Sequence, residues 1–269
     1  MAIPTCDDLR LGGTLSATGI TGGTSINGTA YSITDWSTIF GTVGMSGRPV
    51  EVFGRPGSVM AGDMLPESRF PTLNLAILDR NATGGLTEPT WQEQKQANTD
   101  AFLSLASSRS PIPLEVDMPD SSKRFLLVRN IDDAPIRQPR RLRTIQMPLY
   151  AEWGLWRAGD TQSSDTINGA DTLVVGGEMP IYDAVLTFSG NGTFTHTGLG
   201  WAITIAGATG AVTVNLGTRT VTQGGNPADN LMRRTVVAGQ GRIWGWFDVG
   251  NNAVNSTVSV GVTWRNQFE

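Results

Sequence analysis

The sequence predicts a mainly β protein in two parts: an amino-terminal β-rich domain with one packed α-helix, and a carboxy-terminal antiparallel β-sandwich. Most segments alternate β-branched or aromatic residues with small polar ones between Gly and Asn turns, as in TGAVTVNLGTRTVTQ. A single stretch near residues 90–107 has the period of an amphipathic helix. Because the 269 residues far exceed the roughly 100 that one sandwich needs, two domains are expected.

Residues 1–158 are expected to form the helix-bearing domain. Residues 11–34 are rich in Gly, Thr and Ser, which fits short strands or an adaptable arm better than a packed helix. A hairpin follows, because PVEVFG and SVMAG alternate around a turn at Arg55-Pro56-Gly57. The segment TLNLAIL places its alternate aliphatic residues on one face of a strand. Further strands are predicted in PLEVDM, KRFLLVRNI and RLRTIQMPLYAEW.

The predicted helix at about 90–107 has a start signal, an apolar stripe and a stop signal. Thr90 and Glu93 have capping-box spacing behind a proline. The positions that recur at helical spacing are Trp91, Asn98, Phe102 and Leu105. Three of these four are apolar, so we expect this side to pack on a sheet. The sequence PIP that follows cannot continue the hydrogen-bond ladder and ends the helix.

Residues 159–169 are expected to link the two domains. The surrounding stretch RAGDTQSSDTINGAD has no apolar period and several turn formers. Residues 170–269 carry strand signals only, so we expect them to form the separate β-sandwich.

Composition limits the classes of partner and of compartment. A formal net charge of −4 and a charged fraction of 16% argue against a general nucleic-acid binder. One cysteine excludes an intramolecular disulfide, so stability is expected to come from packing or from subunit association. The start, MAIPTCDDLRLGG, lacks a basic run followed by an apolar one, and no stretch reaches about 18 apolar residues. We therefore expect synthesis in a cytoplasm and no membrane insertion.

Few side chains suit acid/base, nucleophilic or metal chemistry. His196 is the only histidine and lies in a strand-like alternation, so a structural or exposed role is expected. Cys6 lacks a nearby histidine base in the sequence and is expected to be an inert thiol. Acids that fall in or beside strands are Glu51, Glu115, Asp117, Glu152, Asp183 and Asp248. Nothing in the sequence selects a catalytic pair from them, so we expect no enzyme, no cofactor and no metal ion.

One dense basic cluster is a candidate interaction site. It consists of Arg137, Arg140, Arg141 and Arg143. Neighbouring prolines and the lack of interleaved aromatic residues argue against a nucleic-acid platform. An arginine-rich strand is more often a solvated edge or a subunit interface, where guanidinium groups pair with carboxylates. We favour an interface.

The tryptophans of the second domain allow two interpretations. Trp201, Trp244 and Trp246 offer flat faces on which a sugar ring could stack. Trp244 and Trp246 are two residues apart on one strand, however, and so share one face, as core residues of a sandwich also do. Core packing is favoured, and a glycan platform stays open.

The order of these parts resembles that of distal tail (Dit) proteins of long-tailed, non-contractile phages, the siphoviruses. GRPVEVFGRPG, FPTLNLAIL, EPTWQEQKQANTDAFLSL, RFLLVRNI and RRLRTIQMPLYAEWGLW resemble that family's amino-terminal domain. EMPIYDAVLTFSGNGTFTHTGLGWAITIAG, VTVNLGTRTVTQGG and FDVGNNAVNSTVSVGVTWRNQF look like its carboxy-terminal galectin-like domain. The resemblance covers the chain from about residue 44 to its end.

The resemblance implies a structural virion protein at the tail tip. The first domain would form a ring, a hexamer in that family, that closes the far end of the tail tube. The implied partners are further copies of the chain, the tail tube protein above and the tail-tip or baseplate hub protein below, with DNA passing through the channel only in transit. The main alternative is a carbohydrate-binding module that contacts host-surface glycan, and a third is a glycan hydrolase.

Overall fold

The structure, a computed structural model, describes residues 8–28, 30–35, 39–40, 45–51, 58–80, 91–106, 110–131, 136–137, 143–236 and 245–268. Strands account for 57% of it, and one α-helix is present among these residues. The predicted mainly β fold class is therefore confirmed. The chain divides into two compact units: an amino-terminal unit of residues 1–44 and 66–161, and a carboxy-terminal unit of residues 45–65 and 162–268.

The elements follow one another along the chain. The first are β1 (Asp8–Leu11), β2 (Thr14–Ser16), β3 (Gly19–Thr21), β4 (Thr24–Ser25), β5 (Tyr31–Asp35), β6 (Met45–Glu51), β7 (Ser58–Pro66), β8 (Thr72–Ile77), α1 (Trp91–Ala106), β9 (Ile112–Asp117), β10 (Lys123–Asn130), β11 (Ile136–Arg137), β12 (Arg143–Ala151) and β13 (Trp156–Ala158). The remainder are β14 (Ser163–Val175), β15 (Val185–Phe188), β16 (Gly192–His196), β17 (Trp201–Ile205), β18 (Val212–Asn215), β19 (Thr220–Gln223), β20 (Asn226–Pro227), a 3-10 turn (Asp229–Leu231), β21 (Met232–Val236), β22 (Gly250–Trp264) and β23 (Gln267–Phe268).

The amino-terminal unit is built on one antiparallel sheet. Its strand order is β4-β1-β9-β10-β12-β8-β5, and β11 and β13 extend it beside β12 and β10. Alternate residues bury one face, as Leu114 and Val116 do on β9 and Leu126 and Val128 do on β10. This face is the apolar core of the unit.

The helix α1 packs on that core face. It spans Trp91–Ala106, close to the expected range of 90–107. Phe102 is buried, and its ring lies 5.7 Å from that of Tyr31 on β5. The amide of Asn98 donates hydrogen bonds to the backbone oxygens of Leu78 and Arg80, each at 2.9 Å, and its backbone oxygen accepts one from the Tyr31 hydroxyl. The single polar member of the predicted stripe thus binds the helix to the end of β8.

Several sequence predictions in the first half of the chain are confirmed. Residues 8–35 form the short strands β1 to β5. Strands β6 and β7 pair as a two-stranded hairpin, although its expected turn at Arg55-Pro56-Gly57 lies outside the described residues. On β8, Leu73, Leu75 and Ile77 are all buried, as the alternation predicts.

The carboxy-terminal unit is a curled antiparallel sheet wrapped around its own core. Its order is β20-β19-β18-β15-β22-β16-β17-β21, with β14 paired to β22 along nearly its whole length. On its other side, the 15-residue strand β22 pairs first with β16 and then with β15. One long strand is thus shared by two groups of shorter strands, whose inward residues include Phe188, Phe194 and Phe247. This architecture agrees with the predicted β-sandwich.

The stretch predicted as an irregular linker is largely strand. Residues 163–175 form β14, which runs from the pair Ser163 and Trp264 to the pair Val175 and Gly250. Most of its side chains are exposed, and a register shift interrupts it just before Gly169. A strand that packs only a few side chains needs little apolar sequence, so its composition resembles that of a loop.

Candidate functional site

The first candidate surface lies where the start of β12 meets α1. The guanidinium of Arg143 donates hydrogen bonds from Nη1 to Gln96 Oε1 at 2.8 Å and to Thr99 Oγ1 at 2.7 Å. Gln96 in turn donates from Nε2 to Asp100 Oδ1 at 2.7 Å. Salt bridges among the described residues do not include Arg143. The guanidinium of Arg143 is therefore held beside the helix by two neutral acceptors, Gln96 and Thr99.

For the other arginines of the predicted interface cluster, the structure describes no side-chain contacts. Arg137 lies in β11, where its backbone pairs with that of Thr144 on β12. Arg140 and Arg141 lie outside the described residues. The interface role of the cluster stays a prediction, and Arg143 is the member whose side-chain contacts are known.

Beside Arg143, the outward side of α1 is exposed, and we name it the helix face. Its exposed residues are Gln92, Glu93, Gln96, Ala97, Asp100, Ala101 and Ser104. Its two carboxylates, Glu93 and Asp100, lie on the face to which the positively charged Arg143 is bound through Gln96.

A second candidate surface lies on the other side of the same sheet and begins with an exposed aromatic ring. Phe70 is 62% exposed. The residues before and after it are fixed by backbone hydrogen bonds: Arg69 and Ala151 exchange two at 2.9 Å, and Leu149 donates one to Pro71 at 2.8 Å. The ring therefore projects from a segment that is tied to β12 on both sides.

Charged and aromatic side chains continue this surface, which we name the open-face patch: Phe70, Arg129, Tyr150, Glu152 and Trp153. The rings of Phe70 and Tyr150 lie 5.3 Å apart, and Tyr150 pairs directly with Arg129 across β10 and β12. Arg129 Nη2 lies 3.4 Å from Glu152 Oε2. A small cavity of about 60 Å³ opens beside them, lined by Pro111, Leu127, Arg129, Glu152, Trp153, Leu155 and Arg157.

The helix face and the open-face patch lie on opposite sides of the sheet. Along β12, Ile145, Met147 and Leu149 are buried, and Arg143 shares their alternation and contacts α1. Tyr150 belongs to the other set of alternate residues. Since successive side chains on a strand point to opposite faces, Tyr150 points away from the helix.

In the carboxy-terminal unit, His196 is a buried hydrogen-bonding residue. Its Nε2 lies 2.9 Å from Asn252 Oδ1, and its Nδ1 accepts the backbone N–H of Leu199 at 3.0 Å. Because Nδ1 accepts a hydrogen bond, the proton lies on Nε2 and is donated to Asn252. The sequence analysis allowed a structural or an exposed histidine, and the structural role is the one found. His196 is buried because it belongs to the inward-facing alternate residues of β16.

The described tryptophans of the possible glycan site are core residues. Trp201 and Trp246 are only 6% and 7% exposed. Trp201 Nε1 donates to the backbone oxygen of Trp246 at 3.1 Å, and Trp246 Nε1 donates to Asp248 Oδ1 at 3.0 Å. Their ring faces are turned inward, which agrees with the favoured core interpretation. Trp244 lies outside the described residues.

Acids that the sequence left as catalytic candidates take part in ion pairs and hydrogen bonds of the fold, and two of them, Glu115 and Asp117, share the Lys123 ammonium. Glu115 is buried and lies 3.0 Å from the Lys123 ammonium, whereas Glu152 pairs with Arg129. Gln267 donates to Asp183 at 2.6 Å. Within the described ranges, no three His, Cys, Asp or Glu side chains are grouped so that they could hold a metal ion. The described helices include none that is long and apolar enough to cross a membrane.

Comparison with known proteins gives a match of fold but none of sequence. No protein-family model and no curated protein sequence matches the chain. Its fold, however, matches the crystal structure of the SPP1 Dit (gp 19.1) protein with a TM-score of 0.61, over 97% of this chain and 99% of that one. The chain has the Dit fold. The SPP1 protein is described as a paradigm of the hub adsorption apparatus in Gram-positive infecting phages.

The Dit fold is shared at only 9% sequence identity, so it is the order of elements that the two chains have in common. This confirms, at the level of fold, the resemblance drawn from the sequence. The open-face patch within this Dit fold was missed by sequence reasoning. The one signal for it was Phe70 just ahead of TLNLAIL, outside that strand's buried alternation.

Proposed function

We propose that this protein is a structural component of a phage tail, located at the tail tip of the virion. In this proposal it forms a ring, a hexamer, at the distal end of the tail tube and links the tube protein to the hub protein. The observation that supports it is the Dit fold, which extends over 97% of the chain. The SPP1 protein with that fold belongs to a hub adsorption apparatus.

The chemistry of the described residues supports a scaffold. The only histidine is buried and hydrogen-bonded, and the acids discussed above form salt bridges or hydrogen bonds within the fold. A chain rich in strands has many unpaired edges, which association between copies can satisfy. A net charge of −4 also suits a channel through which DNA passes without being held.

Within this function, the two halves of the chain have different tasks. Residues 1–158 provide the self-association, and residues 170–269, which contain most of the carboxy-terminal unit but only the second half of β14, form a sandwich that does not self-associate. This division is a proposal, motivated by the restriction of the helix and the arginine cluster to the first half. Light scattering on the two fragments, each first shown to be folded by circular dichroism, tests it, because a self-associating carboxy-terminal fragment with a monomeric amino-terminal one would reverse the assignment.

The test of the function is made on virions. Gold-labelled antibody raised against the purified chain should bind at the tail tip of intact particles in the electron microscope. Deleting its gene should leave particles without functional tails, and supplying the chain from a plasmid should restore them. Label on the capsid, or normal infectious tails without the chain, would overturn the proposal.

A further inference from the structure

We propose that Asn168 is a site of spontaneous deamidation in the folded protein, at which the neutral side-chain amide becomes a carboxylate with water as the co-reactant. The chain contains three Asn-Gly pairs, at residues 27–28, 168–169 and 191–192. Asparagine before glycine is chemically labile, because glycine has no side chain to hinder attack by its backbone nitrogen. The fold restrains two of these pairs and leaves the pair at Asn168 able to react.

The reaction needs only the atoms of the pair and water. The backbone nitrogen of Gly169 attacks the side-chain carbonyl carbon, Cγ, of Asn168. A new C–N bond closes a succinimide ring, the Cγ–Nδ2 bond breaks, and the amide nitrogen leaves as ammonia with the proton that the backbone nitrogen gives up. Water then opens the ring at either carbonyl, which yields aspartate or isoaspartate. No oxidant or reductant takes part, and the product carries a negative charge at neutral pH.

Asn168 lies at an interruption in the pairing of β14 with β22. Ile167 pairs with Val260 and Gly169 pairs with Ser256, so the register shifts at Asn168 itself. Its side chain is exposed, and within the part of the chain that the structure describes it takes part in no hydrogen bond. An amide that is neither buried nor bonded changes rotamer readily and can turn toward the nitrogen that follows it.

The surroundings of this pair are open. Nothing lies within 4 Å of the position that a Cβ would take on Gly169, whose φ of +90° is one that glycine adopts readily. Thr257, one of the β22 residues that the register shift leaves opposite Asn168, binds β16 instead: its Oγ1 accepts the backbone N–H of Thr193 at 2.8 Å. The amide of Asn168 and the nitrogen of Gly169 thus have room to come together.

The pair at Asn191 is held at both ends of its side chain. Asn191 Nδ2 donates to the backbone oxygen of Ala208 at 3.2 Å, and its Oδ1 accepts the backbone N–H of Ala208 at 2.7 Å. The position that a Cβ would take on Gly192 lies 2.6 Å from methyl carbons of Val258. This amide must break two hydrogen bonds in a crowded place before it can react.

The pair at Asn27 is held through the attacking nitrogen. The N–H of Gly28 donates to the backbone oxygen of Tyr31 at 2.9 Å, and Asn27 Oδ1 accepts the backbone N–H of Ile33 at 3.4 Å. Both reacting groups are therefore engaged elsewhere. Deamidation of the folded chain is expected to be selective for Asn168.

Deamidation should loosen the first half of β14. Isoaspartate carries the chain through the former side chain and so adds one carbon atom to the backbone. Ile167, next to the modified residue, is fully buried and pairs with Val260. A longer, charged link beside it disturbs the register of the pairing that precedes it. Aged chains should therefore exchange the backbone hydrogens of residues 163–167 faster than fresh ones.

Labelling with heavy-oxygen water tests the selectivity. The purified full-length chain is aged at mildly alkaline pH in this water, folded or in urea, then digested in ordinary water, and its peptides are analysed by mass spectrometry. In the folded protein, the peptide with Asn168 should take up the label, whereas those with Asn27 and Asn191 should not. In urea all three should take it up. An unlabelled Asn168 in the folded protein, or equal labelling of all three there, would overturn the proposal.

Asn168→Gln is the matched variant for the consequence. Glutamine keeps the amide at this exposed position but must close a larger ring, which forms far more slowly. Ageing should accelerate hydrogen exchange in residues 163–167 of the wild type and leave the variant unchanged. Equal acceleration in both chains would contradict the effect on β14. Neither measurement requires self-association, so its failure is distinct from a failure of the proposed ring.

Discussion

The Nε2 of His196 lies 2.9 Å from the Oδ1 of Asn252, inside the core of the carboxy-terminal unit. The same oxygen accepts the backbone N–H of Asp248 at 2.9 Å, and the amide nitrogen of Asn252 donates to the backbone oxygens of Asp248 and Gly250. The imidazole thus connects the turn after β16 to the segment that enters β22. The histidine that would anchor most hydrolytic mechanisms stabilises the fold here.

We predict that His196→Ala destabilises the carboxy-terminal unit by about 2–3 kcal/mol. The substitution leaves the Leu199 N–H without its buried acceptor and opens a cavity beside the rings of Trp201 and Phe247. Urea unfolding of the variant measures this loss. Thr187→Ala, at an exposed position on β15, is the control and should change stability by less than about 0.5 kcal/mol. An equally small effect at His196 would contradict the buried role.

Replacing Asn98 by Ala should loosen α1. The two hydrogen bonds to the backbone oxygens of Leu78 and Arg80 are lost, and a hydrogen bond of this kind contributes about 0.5–1.5 kcal/mol to stability. Amide hydrogen exchange should then be faster in the helix, and the urea midpoint should fall. Gln92→Ala, on the exposed side of the same helix, should leave both unchanged. Unaltered exchange in Asn98→Ala would show that the amide does not hold the helix.

The triple substitution of Arg140, Arg141 and Arg143 by Gln should weaken self-association. Arg143 orients α1 through Gln96 and Thr99, and an arginine cluster in a chain of net charge −4 is better suited to protein carboxylates than to DNA. Analytical ultracentrifugation over a dilution series measures the change. Arg233→Gln, exposed on β21, is the control. Tight, salt-sensitive binding of short duplex DNA by the wild type, lost in the triple variant, would support a nucleic-acid site instead.

Trp201→Ala should unfold the carboxy-terminal unit or destabilise it by about 3–5 kcal/mol. We expect the wild type to have no sugar affinity that this substitution could remove. The ring is buried against Phe194 and Phe247, so removing it leaves a large cavity. Thermal unfolding gives the size of the effect. A glycan array with the wild type tests the alternative, because a specific sugar signal that a folded tryptophan variant loses would restore the carbohydrate-binding interpretation.

Much of the fold could be predicted because alternation is a local signal. The alternation of buried residues in β8 and the helical spacing of the residues that lead to Phe102 can each be recognised within a short stretch of sequence. β14 was missed because few of its side chains are buried, so its polar residues give no alternating pattern. His196 was misjudged in part because its partner Asn252 is 56 residues away in sequence, and no local pattern joins the two.

The candidate surfaces depend even more on long-range placement. Phe70, Arg129 and Tyr150 come from three separate segments that the sheet brings together. Sequence alone indicated the arginine cluster, because its members are neighbours in the chain. The open-face patch has no such local density, and only the pairing of β10 with β12 reveals it.

The proposal that this chain builds a tail ring is tested most directly by the mass and shape of the purified wild-type protein. Mass photometry at nanomolar concentration, with negative-stain images of the same sample, should show one closed assembly of about six chains around a central channel. A single-chain mass that persists as the concentration is raised to the micromolar range, with no ring in the images, would contradict it.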